Sequence, residues 1–145
     1  MTVSVDIANS NVNRNITLAG TSIAIFTFLL FFLYPRYSSD QINPILFQLT
    51  LGVIVSVIFS LVISGLFYYE TTLTPTLDID LGKRTIFGTV EGFWLLGYSL
   101  LLLEPSLILF TVNLLVVALY ALALWFSYLT LTLLEYRKLQ PSRKK

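Results

Sequence analysis

The chain of 145 residues holds no cysteine and no histidine, and 12% of its residues are charged against 56% hydrophobic. Soluble domains carry about 25% charged residues, so this sequence cannot coat a water-exposed surface; that excludes a soluble enzyme, a disulfide scaffold and a disordered tail. The net charge of +1 excludes a polybasic nucleic-acid binder, whose affinity rests on many phosphate contacts. A mean hydropathy of +0.81 leaves one class, an all-α polytopic membrane protein.

The first fifteen residues are polar and rich in Asn and Ser, and are expected to form a flexible tail. They lack the basic cluster and small-residue cleavage site of a secretory signal, so the first apolar run is read as an uncleaved insertion signal. Asn15-Ile16-Thr17 is a glycosylation sequon by pattern, expected to go unused against the membrane.

A membrane helix needs about 20 mostly apolar residues, and four stretches qualify. The first runs over about 17–34 and stops at Pro35-Arg36. The second covers about 44–69, with Pro44 at a favourable N-terminal position. The third covers about 86–103 and the fourth about 106–134. Between the last two stand only Glu104, Pro105 and Ser106. Proline lacks the N–H that continues a helix, so these three are read as a tight outer turn with Glu104 in water. The expected architecture is an antiparallel bundle of four transmembrane helices spanning 16–136, followed by a basic tail at 137–145.

Orientation follows from the basic residues. With both termini cytoplasmic, Arg14, Lys83, Arg84, Arg137, Lys138, Arg143, Lys144 and Lys145 lie inside and only Arg36 outside. This asymmetry is the positive-inside signature, and it points to the cell membrane. The basic tail also suits contact with anionic lipids. Tyr34, Tyr37, Tyr68, Tyr69 and Tyr136 mark the headgroup layers, while Trp94 and Trp125 lie deeper, where they pack against helices or lipid.

Small and polar residues inside the spans are the candidate sites. Gln48, Gly52, Ser56, Ser60 and Ser64 recur at every fourth position. This is an extended small-xxx-small pattern that lets backbones approach, and it is read as a packing seam or partner interface. Gly88 and Gly92 form a second pair, and Gly20 with Ala24 a weaker one. Glu91, between the two glycines of the second pair, is read as the one ionisable residue well inside a span. Such a residue is a candidate proton or ion site, with structural pairing as its other reading. Gln48 and Asn113 are read as amides that pack in the outer half. The connection from Glu70 to Thr85 alternates apolar and polar residues, which suggests an extended segment; its Asp78 and Asp80 are read as solvated charge.

No nucleophile with a base or metal is evident, so no enzyme activity and no cofactor are expected. The function expected on these grounds is a non-catalytic accessory subunit of a larger membrane complex. Its partners would be membrane lipids and other integral membrane subunits. The alternative is a small homo-oligomeric transporter or channel using Glu91 and the Ser56/Ser60/Ser64 face.

Overall fold

The computed structural model describes residues 2–39, 42–73 and 82–139, and their side chains over 8–36, 42–69 and 92–134. The described residues form four α-helices: α1 (Thr2–Phe32), α2 (Pro44–Leu73), α3 (Gly82–Thr111) and α4 (Leu115–Leu139), with a 3-10 turn at Tyr34–Ser39 after α1. Each contains a stretch long and apolar enough to cross a membrane: Ala8–Arg36, Pro44–Tyr69, Gly92–Thr111 and Leu115–Leu134. The protein is therefore an all-helical, multi-pass membrane protein by length and composition. The connection expected to be extended from Glu70 to Thr85 is helical at both ends, since α2 runs to Leu73 and α3 starts at Gly82; its middle, Asp78 and Asp80 included, and the end of the basic tail fall outside the described residues.

Two of the expected boundaries hold and two move. Pro44 opens α2, and the Asn43 side-chain oxygen caps it by accepting from the backbone N–H groups of Ile45 at 3.1 Å and Leu46 at 3.2 Å. This satisfies donors that a helix start leaves without partners. At the other end of the first loop, α1 closes just before Pro35, as its sequence indicates. By contrast, the polar tail is not separate from the first span. The helix starts at Thr2, and Ala8 and Asn15 are buried. At 1.5 Å per residue α1 is about 46 Å long, so its polar N-terminal turns continue past the hydrocarbon layer without a break.

The second correction concerns the third span. Glu104-Pro105-Ser106 is not a turn: α3 runs through Pro105 to Thr111. Ending a helix there would strand backbone groups in hydrocarbon, a penalty that proline alone does not outweigh in a membrane. The chain reverses instead at Val112-Asn113-Leu114. The Leu114 N–H donates to the Leu109 carbonyl at 2.9 Å and the Asn113 N–H to the Phe110 carbonyl at 3.1 Å. This bond pair is a Schellman cap. Asn113 takes a φ of 61°, the left-handed conformation that asparagine tolerates best after glycine. Asn113 is thus a turn residue on the surface, and not a packing amide within a span.

α2 packs against both α1 and α3, and α4 packs against α3. The buried stripe of α2 is Phe47, Thr50, Ile54, Val57, Leu61, Ser64 and Tyr68. Its alternating steps of three and four hold one face of the helix toward a neighbour, as in a coiled coil. α1 answers with Ala8, Asn15, Ser22 and Leu29, each seven residues after the last, and α3 with Gly97, Glu104 and Thr111 at the same interval. Two apolar clusters result. One gathers Leu29, Leu33, Ile42, Phe47 and Ile54; the other gathers Ala19, Val57 and Leu61.

Candidate functional site

The chemistry-bearing groups of this chain lie along the seams between helices. At the Asn15 end of the bundle, the Asn15 amide Nδ2 donates to Ser64 Oγ at 3.1 Å, and both residues are fully enclosed. Gly65 makes room for this contact: a Cβ there would stand 3.6 Å from Asn15 Cβ. Beside it a groove of about 190 Å³ opens between α1 and α2, with Ile16, Val62, Leu66 and Tyr69 among its walls. On the other side of α1, the Arg14 guanidinium sits 4.2 Å over the Trp94 ring. Trp94 stacks on Tyr98 at 5.3 Å, and Tyr98 meets the edge of Tyr128 at 5.8 Å. The cation and three rings tie α1, α3 and α4 together, and with Arg14 exposed the cation–π contact is worth about 0.5–1 kcal/mol.

Of the described glycines, Gly97 is the most tightly set. A Cβ there would stand 3.1 Å from the Leu61 side chain and 3.2 Å from Ser60 Cβ, so α3 lies against α2 at a point that only glycine allows without a shift. Two heptads further, Thr50 Oγ1 and Thr111 Oγ1 share a hydrogen bond of 3.2 Å, in which one hydroxyl donates and the other, as acceptor, keeps its own proton for a carbonyl of its own helix. On the far side of α3, Ser106 Oγ donates to the Ala118 carbonyl at 3.0 Å, and Trp125 Nε1 to the Ser99 carbonyl at 2.8 Å. These two bonds fix α4 to α3.

Between Gly97 and Thr111 lies Glu104. It is 1% exposed, and neither carboxyl oxygen has a hydrogen-bond partner among the described residues. Among the described side chains it is the single carboxylate within the four spans. The expectation of a solvated turn residue is therefore reversed, because α3 continues five residues past Ser106, to Thr111, before the Schellman cap turns the chain. Ser22 Oγ on α1 is likewise enclosed and unpartnered.

The residues singled out in the sequence divide. Ser60 and Ser64 are buried against neighbouring helices of this chain, whereas Gln48, Gly52 and Ser56 face outward. Steps of four advance 400°, so the row drifts about 40° per step and its two ends come to lie on opposite faces. Ser56 Oγ donates to the Gly52 carbonyl of its own helix at 2.9 Å. Gly52, Gly20 and Gly92 are open: a Cβ on any of them would meet nothing within 4 Å. Gly88 and Glu91 lie on α3, but their surroundings fall outside the described side chains. Gly97, Glu104 and Thr111 carry the seam and were not grouped from the sequence. Their shared interval of seven was the signal, hidden by the assumption that Pro105 ends the helix.

No protein-family model matches the chain, and neither the curated proteins nor the solved structures offer a match.

Proposed function

We propose that the chain is a non-catalytic structural subunit of a larger integral membrane assembly. It braces helices and lipids around a partner that carries the substrate or cofactor. In this reading the four helices form an antiparallel bundle in the cell membrane, with both termini cytoplasmic, as the distribution of basic residues favours.

The observation that carries the reading is the state of α4. It packs on α3, yet only 6% of its span is buried. Val116, Tyr120, Leu124, Leu131 and Leu133 are all more than half exposed. Two small-xxx-small pairs add support. Gly20 with Ala24 and Gly52 with Ser56 face away from the bundle, with open space at both glycines. Small residues on an outer helix face let another helix approach closely. The transporter alternative draws less support. The outward serine of its proposed path is bonded to its own helix, and so are the exposed hydroxyls of Thr17, Thr21, Thr27, Ser127 and Thr130.

A photo-crosslinking residue placed at Val116 or Gly52, in native membranes, tests the proposal. Adducts to a distinct membrane chain are expected at these positions, and none from a control at buried Ile54. Adducts to lipid alone from every exposed position would contradict it.

A further inference from the structure

The enclosed carboxyl of Glu104 is not used by a bracing role and calls for its own explanation. Glu104 and Ser22 occupy one layer of the bundle. On α1, Leu18 and Ala19 belong to one apolar cluster and Ile25, Phe26 and Leu29 to the other, with Ser22 between them. On α3, Leu100 and Leu101 belong to the first and Ile108 to the second, with Glu104 between. The contacts of Gly97 with Ser60 and Leu61, and of Thr111 with Thr50, set the register of α3 on α2. They place Glu104 opposite the fully buried turn of Ile54 and Val57.

Among the described side chains, no element packed around this layer offers a counter-charge. α1 has no Lys or Arg between Arg14 and Arg36, and Arg14 is held over Trp94. α2 has no ionisable group from Pro44 up to Tyr68. Over its span, Leu115–Leu134, α4 brings only Tyr120, which is 66% exposed, and Tyr128, which is engaged with Tyr98. An isolated ion in such surroundings is prohibitively expensive, and the charge is removed by binding something of opposite sign. The space is closed on all sides: Glu104, Ser22, Ile54 and Val57 are each 1% exposed or less. A proton adds no heavy atom to such a closed layer.

We propose that Glu104 and Ser22 form an enclosed proton-binding site midway along the α2–α3 seam. The carboxyl takes one proton from water when the seam opens. The neutral acid then has an O–H to donate, and Ser22 Oγ is the unpartnered acceptor in the same layer. Proton occupancy keeps the seam closed, because an anion between the Gly97 and Thr111 contacts would draw water between α2 and α3. The site belongs to this chain alone and does not depend on which partners it has.

The test uses the full chain in liposomes and two readouts. Infrared spectroscopy is expected to show the carbonyl band of a neutral carboxylic acid. That band is lost in Glu104→Gln, which keeps the shape of the side chain, and displaced in Ser22→Ala. Absence of a band that depends on Glu104 overturns the proposal. Dicyclohexylcarbodiimide, an apolar reagent that requires a protonated carboxyl, is expected to modify Glu104, with labelling that falls as pH rises. Protection by Na⁺ at constant pH would show a metal-cation site and overturn the proton assignment.

Discussion

α2 and α4 are both long, apolar helices, yet 33% of the α2 span is buried and 6% of the α4 span. Apolar character does not separate them, since lipid solvates an apolar side chain as well as another helix does. The difference is in the small and hydroxyl residues. α2 sets Thr50, Ser60, Ser64 and Gly65 into its contacts, and its neighbours answer with Asn15 and Gly97. α4 packs on α3 through Ala118 at 0% exposure, two bonds at Ala118 and Trp125, and the edge of Tyr128 on Tyr98. Each of the two helices takes part in interhelical side-chain hydrogen bonds, so position within the bundle follows close backbone approach on two sides. A helix with such contact on one side only is left on the outside.

The sharpest way to break this contrast is to fill the tightest glycine contact. Gly97→Leu forces a side chain into 3.1 Å of free distance to Leu61. Overpacking of this kind costs typically about 1–3 kcal/mol, and is expected as a clear loss of thermal stability in detergent. Next comes the anchor of α4. Trp125→Phe removes its hydrogen bond to the Ser99 carbonyl, for about 1 kcal/mol. Hydrogen exchange is expected to rise over α4 and to stay unchanged over α2. Asn15→Ala removes the bond to Ser64, and interhelical bonds in membranes average about 0.6 kcal/mol. The loss is expected in the same detergent assay as a small shift. Gly52→Leu, in open space, should fall within about 0.5 kcal/mol of wild type while reducing recovery of a partner chain. A large stability loss from Gly52→Leu, or none from Gly97→Leu, would break the contrast between inner and outer glycines.

Much of the fold was legible because a span announces itself by length. Four apolar stretches, the Pro44 start and the Pro35 stop could be read from composition and backbone chemistry. The third boundary could not, because the rule applied to Pro105 comes from water-exposed helices. Inside a bilayer the backbone resists exposure more strongly than proline resists the helix, and Asn113 with its following leucine was the truer stop signal. The seam was half legible. Ser60 and Ser64 fall on it, but a strict step of four walks off any one face, so Gln48, Gly52 and Ser56 leave it. Glu104 was misplaced for the same reason as the turn. With the helix ended at Pro105, no heptad joined Gly97, Glu104 and Thr111.

The central claim is that the outward faces, α4 above all, exist for other membrane chains. Gentle extraction of the native protein followed by native mass spectrometry tests this most directly. Distinct integral membrane chains should travel with it in a fixed ratio, and Gly52→Leu should lower their share. Recovery of a lone monomer, or of a pure homo-oligomer, would contradict the account.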